Sequence, residues 1–222
     1  GAKVDNTIDQ TTGIPVISLY GKHYKPTKED LSGIDLLIFD IQDVGARFYT
    51  YISTLHYVME ACAENNLELL ILDRPNPNGF YVDGPVLEKE FTSFIGMHPI
   101  PIVHGMTIGE YAGMINGEGW LKDKMKCKIK IIQVENYTHA TPYRLPVKPS
   151  PNLNTQQSIL LYPSLCLFEG TIISQGRGTY IPFQVLGSPL LKGKYKFSFT
   201  PKSIKGMSET PLHQDRECYG LD

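Results

Sequence analysis

The 222-residue chain has one tryptophan, five arginines and four cysteines, and each scarcity excludes something. Cys62, Cys127, Cys166 and Cys218 stand singly, with no CxxC pair, so the usual ligand spacing of a structural zinc site is absent. At this length a core suffices without staples, and no disulfide framework is required. Basic and acidic side chains nearly balance, 21 against 23, so there is no broad positive field and no nucleic-acid partner is expected. No apolar run reaches the roughly 18 to 20 residues of a membrane helix, so no membrane span is expected. Walker, Rossmann-glycine, HExxH and GxSxG motifs are all missing, and Gly176-Arg177-Gly178 is too short to replace any of them. No cofactor or metal is called for. The chain opens on Gly1-Ala2-Lys3-Val4 and closes on Gly220-Leu221-Asp222, and it reads as a piece of a longer protein whose signal peptide, if any, lies upstream.

What is present alternates between short apolar runs and amphipathic stretches. Val16–Tyr20 predicts a strand, and Asp35–Asp40 and Leu69–Asp73 predict strands buried on both faces, as in a parallel sheet. Between the last two, Phe48, Ile52, Leu55, Val58, Met59 and Cys62 recur at helical spacing up to Glu64-Asn65-Asn66. Pro99–His104 is extended because each proline disfavours helix for itself and its predecessor. Thr107 and Glu110 form a capping box for a helix through about Asn116, and Lys126–Val134 reads as a strand with one wet face near a sheet edge. A proline-rich link, Pro142–Pro151, leads to a helical stretch near Gln156–Phe168, interrupted at Pro163. Beyond Gly170 the chain turns to short Gly/Pro-punctuated strands such as Tyr195–Phe199. The expected architecture is a Rossmann-like, doubly wound, mostly parallel α/β domain over residues 1–170, with the beginning of a smaller α+β domain over 171–222.

In open α/β sheets, ligands bind outside the carboxyl ends of the strands. Asp40, Gln42 and Asp43 follow one predicted strand, Asp73 and Arg74 the next, and His104 closes the extended Pro99–Val103 segment. Each also has a purely structural reading: a turn for Asp40, a helix cap for Asp43, a bracing ion pair for Asp73-Arg74, a satisfied core imidazole for His104. Cys62 and Cys166 lie on apolar faces and read as packing residues. The arginines are more selective. Against 16 lysines, Arg47, Arg74 and Arg177 sit in tight loops among Gly, Pro and aromatic residues, where a rigid guanidinium suits a carboxylate or phosphate, or else braces loop carbonyls. Phe48, Tyr49, Tyr51, Phe80, Tyr81 and Trp120 offer flat faces with polar rims that would suit a sugar ring, although Tyr51 also fits a helix core. Cleaving a glycosidic bond calls for two carboxyls. Asp40, Asp43, Glu88, Glu110 and Glu169 are the candidates. Glu110 is largely used by its cap, and Glu169 follows an apolar run where partial burial would favour a proton donor.

Taken together, FDIQDVGARFYTYISTLHYVMEA, LDRPNPNG, DGPVLE, PIPIVHGMTIGEYA, PSPNL, LYPSLCLFEGT and GRGT resemble the NamZ-type exo-β-N-acetylmuramidases, long catalogued as a domain of unknown function, from about Thr12 to Pro189. The resemblance implies release of terminal N-acetylmuramic acid from the non-reducing end of peptidoglycan fragments. It further implies a Rossmann-like amino-terminal domain, a smaller carboxy-terminal domain with a cleft between them, and action outside the cytoplasm. The family's P-E-H-G glutamate, its favoured catalytic residue, falls upstream of Gly1. The positions carried over by motif are Asp40, Gln42, Asp43, Arg47, Arg74, Asn76, His104, Asn152, Glu169 and Arg177. Muramic acid carries a lactyl carboxylate that glucosamine lacks, so a loop arginine would select it. Two other classes stay open on sequence. One is a metal-dependent esterase or phosphatase using Asp40, Asp43, Asp73 and His104. The other is a non-catalytic peptidoglycan-binding module.

Overall fold

A computed structural model describes residues 5–21 and 23–222. By their contacts these fall into two compact units, one ending at Thr141 and one running from Pro142 to Asp222.

The first unit is built on a parallel sheet of β3 (Leu36–Phe39), β4 (Glu68–Leu72) and β5 (Lys128–Ile132), in that order. Preceding them, β1 (Thr7–Ile8) and β2 (Pro15–Val16) form a small antiparallel hairpin. Register places Leu37, Leu69 and Ile129 in one row and Phe39, Ile71 and Ile131 in the next, all on one face. Helices α1 (Tyr51–Glu64) and α2 (Ile108–Glu118) pack on that face. Their Ile52, Leu55, Met59, Tyr111 and Ile115 close the core with Phe39, Leu69 and Ile71. This α/β layering is the class expected from the alternating pattern.

The strands depart from expectation in two places. Val16–Tyr20 is not a strand of the parallel sheet: among the described residues only Val16 of this run pairs, in the two-stranded hairpin with exposed Thr7–Ile8. The strand over Leu36–Phe39 is buried on one face only, with Leu36 and Ile38 45% and 52% exposed. It lies at the sheet edge, and among the described residues both α1 and α2 cover the opposite face. By contrast, β5 is an edge strand with the predicted wet face, Lys128 and Lys130 outward, although Ile132 is exposed on it as well.

Helix α1 starts at Tyr51 rather than Phe48, with Thr50 at its N-cap, so Asp43 does not cap it. Helix α2 has the predicted capping box. Thr107 Oγ1 accepts the Glu110 amide at 3.2 Å, and Glu110 Oε2 accepts the Thr107 amide at 2.8 Å.

The second unit carries α3 (Gln156–Leu165) and an antiparallel sheet ordered β6 (Leu186–Ser188), β8 (Cys218–Leu221), β7 (Phe197–Phe199). A second capping box, Thr155 with Ser158, starts α3. Pro163 lies within the helix, and the chain continues as a 3-10 turn over Cys166–Gly170. Side chains ahead of Gly170 reach across to backbone beyond it: Asn152 Nδ2 donates to Met207 O at 2.8 Å and Asn154 Nδ2 to Tyr180 O at 3.1 Å.

Candidate active site

The loops leaving the carboxyl ends of β3 and β4 meet the extended Pro99–Val103 segment. Ala46 and Asp83 each bridge to Val103, the Arg47 amide donates to Ile102 O at 2.8 Å, and the His104 amide donates to Gly45 O at 3.3 Å. Gly45 is needed at this crossing. Its φ is +78°, and a Cβ would collide with the Asn76 side-chain amide.

At the centre are Asp43 and His104, both almost fully buried. Asp43 Oδ2 accepts the Gly45 amide at 2.7 Å and lies 3.4 Å from His104 Nε2. His104 Nδ1 accepts the Met106 amide at 3.2 Å, which leaves Nε2 as the nitrogen that carries a proton, facing the carboxylate. Among the described residues, Asp43 Oδ1 and His104 Nε2 are both buried with no hydrogen-bond partner, the imidazole meeting Asp43 Oδ2 by proximity alone. A buried carboxylate oxygen left unbonded is costly, and such atoms are kept where a ligand or water completes them.

The flanking residues divide by role. Gln42 Nε2 donates to Asp43 O at 2.8 Å and Pro75 O at 2.9 Å, tying the two strand-end loops together. Asn76 is likewise structural: its Nδ2 donates to Met106 O and its Oδ1 accepts the Asn78 amide, while Asn78 Nδ2 reaches Val44 O. Arg47 is buried, donating to the carbonyls of Pro85 and Ile100, with its guanidinium 5.3 Å from the Phe48 ring centre. Arg74 is exposed and pairs with Asp40 through Nη2 at 2.6 Å and Nε at 2.8 Å. Asp73 does not pair with Arg74's guanidinium. Its oxygens accept Thr107 Oγ1 at 2.7 Å and the Gly109 amide at 2.8 Å, anchoring the start of α2. Tyr49 is half-buried, edge-on to Tyr51 at 5.2 Å, and burial pushes its phenol well above the usual range.

In the second unit, Glu169 Oε1 accepts Arg177 Nη2 at 2.5 Å and Nε at 2.9 Å, and Arg177 lies over Phe183. Both side chains are one-third exposed, so Glu169 sits in an ion pair rather than an apolar enclosure. Asn152 is buried on Met207 O. Asp40, Gln42, Asp43, Arg47, Arg74, Asn76 and His104 thus gather around one knot of loops, and Glu169 with Arg177 forms a separate pair. The oxygen–nitrogen ligand set suggested for a metal is split, since Asp73 is spent on donors. Among the described residues, no group of three His, Cys, Asp or Glu side chains is arranged to hold a metal ion. His56, His98 and Tyr111, buried behind His104, carry only faint signals in the sequence. The signals were the MHPIP run around His98 and the i, i+4 pair His56 and Glu60.

Fold and site define an α/β protein of the Rossmann-like kind, with a carboxylate–imidazole pair at the carboxyl edge of its sheet. The chain belongs to the NamZ exo-β-N-acetylmuramidase family. Residues 1–157 match the family described as "Exo-beta-N-acetylmuramidase NamZ, N-terminal" and 160–222 its "C-terminal" counterpart. The chain is 48% identical over 236 residues to the peptidoglycan beta-N-acetylmuramidase NamZ of Bacillus subtilis (strain 168), spanning all of this chain and 56% of that protein. Crystal structures of two DUF1343 family proteins from Bacteroides fragilis NCTC 9343 superpose with TM-scores of 0.92 and 0.82. Their identities are 53% and 33%, and the match covers 97% of this chain and 59% and 60% of theirs. The chain therefore spans little more than half the length of these relatives.

Proposed function

We propose that this chain is part of an exo-β-N-acetylmuramidase that releases terminal N-acetylmuramic acid from the non-reducing end of peptidoglycan fragments, outside the cytoplasm, feeding cell-wall recycling. The observation that carries the reading is Asp43: one carboxylate oxygen is held by the Gly45 amide and faced by His104, while the other is buried without a partner at the ligand-binding edge of the sheet.

In this reading Asp43 Oδ1 takes a proton from the attacking water or offsets the positive charge that develops on the sugar ring. His104 keeps the carboxylate turned, and Gln42 and Asn76 hold the loops that carry it. Arg74 is the guanidinium available for the lactyl carboxylate, because it is exposed and its present partner, Asp40, is exposed too. Arg47 instead is committed to loop carbonyls. Tyr49 supplies a ring face to the sugar. Glu169, Arg177 and Asn152 lie in the second unit and are candidates by motif alone.

The test uses the full-length protein and matched chromogenic β-glycosides of N-acetylmuramic acid and N-acetylglucosamine. The muramic acid substrate is expected to turn over at least about a hundredfold faster, since an unmatched buried or paired charge is a strong discriminator. Asp43→Asn is expected to lower kcat by roughly 100-fold or more. Equal turnover of the two sugars overturns the assigned selectivity, and an unimpaired D43N variant overturns the role of Asp43.

A further inference from the structure

A chain of buried side chains runs from α1 to α2 behind the Asp43–His104 pair, and the proposed hydrolysis does not use it. The Tyr111 hydroxyl meets His98 Nδ1 at 2.9 Å, and His98 Nε2 meets His56 Nδ1 at 3.0 Å. His56 Nε2 faces Glu60 Oε2, one helical turn on, at 3.6 Å. Trp120 lies flat against the His98 ring, 4.6 Å between centres and 16° between planes, which keeps the imidazole from swinging. Glu60 is fixed in turn by the Lys25 ammonium at 2.8 Å and the Lys122 amide at 3.2 Å.

The direction of the chain is set by its acidic end. A carboxylate only accepts, so the His56 proton belongs on Nε2, where it faces Glu60. Nδ1 of His56 is then bare and accepts from Nε2–H of His98. That leaves Nδ1 of His98 bare, and the Tyr111 hydroxyl donates to it. The opposite order would set a bare His56 Nε2 against the Glu60 oxygens. Burial lowers the pKa of His56 and takes that of His98 down to about 3, so each ring is neutral with a single N–H to place.

At the other end, the Tyr111 ring meets the His104 ring edge-on, with centres 5.3 Å apart. The charged groups acting on Tyr111 are Asp43 and Arg47. His104 is thus held by the Met106 amide at Nδ1 and by the Tyr111 ring against its side, which turns Nε2 onto Asp43.

We propose that Glu60, His56, His98 and Tyr111 are positioning residues: a one-way hydrogen-bond chain that fixes the Tyr111 ring and, through it, the orientation of His104 toward Asp43. The catalytic relevance of this chain rests on the reading of Asp43 as the reacting group, but its existence does not. Side-chain nitrogen NMR of the 222-residue chain tests it without substrate. Both His56 and His98 are expected to carry the proton on Nε2 with Nδ1 bare, and either ring found in the other form overturns the ordering. Tyr111→Phe removes one hydroxyl and keeps the ring. It is expected to leave the His56 tautomer as Glu60 sets it and to shift the His104 side-chain nitrogen resonances, because the Tyr111 ring loses its tether to His98. A changed tautomer at His56, or His104 resonances that do not move, overturns the chain as a one-way positioning device. A muramidase reading that failed in the glycoside assay would leave these two spectra as they are, so the two failures are separable.

Discussion

Arg47 and Arg74 lie in the same knot of loops, and their surroundings assign them opposite work. Arg47 is 5% exposed and holds the carbonyls of Pro85 and Ile100, so truncation leaves buried acceptors unbonded. Arg47→Ala is expected to destabilise the first unit by about 3 kcal/mol, read as a lower denaturation midpoint. Arg74 is paired at the surface with Asp40, a contact worth little to folding. Arg74→Ala is expected to leave the midpoint within about 0.5 kcal/mol and to raise KM for the muramic acid glycoside roughly tenfold or more. The reverse pattern would exchange the two assignments. Sequence could not separate these arginines, because a tight loop of Gly, Pro and aromatics surrounds a guanidinium whether it binds a ligand or braces carbonyls. Asp43 and His104 were legible, since both come after extended segments that end at one sheet edge. What could not be read was that Gly45 and Met106 orient them.

Among the elements, helices were easier to read than strands, and for a local reason. The apolar spacing of α1 and the Thr107–Glu110 box of α2 are written within a few residues. The box does more than end a helix. Thr107 Oγ1 accepts the Glu110 amide and donates to Asp73 Oδ2, so one hydroxyl joins α2 to the carboxyl end of β4. Thr107→Ala is expected to cost about 2 kcal/mol, the upper range for a cap, because it also strips a donor from a part-buried carboxylate. Thr107→Ser, which keeps the hydroxyl, is expected to recover most of it. A loss under about 0.5 kcal/mol on Thr107→Ala in urea unfolding would show that Asp73 is satisfied without it. Strand burial depends on partners far along the chain. Val16–Tyr20 has the composition of a sheet strand, but among the described residues only Pro15–Val16 pairs, and with the nearby Thr7–Ile8. Leu36 and Ile38 have the composition of a covered strand yet lie on the face opposite both helices.

At the scale of the whole molecule, the blocks that match the family run through both compact units, which is why membership was legible while the division near Thr141 was not. Composition changes after Gly170, whereas the division is set by bonds such as Asn152 to Met207, 55 residues apart and without a local signature. The buried imidazoles give the molecule its most distinctive expected behaviour in solution. His98 is 3% exposed, and its pKa falls to about 3 by burial, with His56 lowered for the same reason. An unfolded chain takes up a proton at each imidazole as pH falls through about 6.5, while the folded chain does not. Between about pH 6.5 and 3 the unfolded state therefore binds more protons, so stability rises with pH across this window and is lost on acidification. For His98 alone the slope approaches about 1.4 kcal/mol per pH unit below 6, and His56 steepens it. The lowered carboxyls of Asp30 and Glu60 act in the same direction once pH drops below the ordinary carboxylate range. Urea midpoints measured from pH 7.5 to 4.5 should accordingly fall, with the decline setting in near pH 6.5 rather than near 4. His98→Gln, which cannot titrate, should flatten that first decline even where it lowers the midpoint at pH 7.5. A midpoint level down to pH 5 in the unsubstituted chain would mean that these imidazoles are protonated in the fold, and the one-way order from Tyr111 to Glu60 would then be wrong.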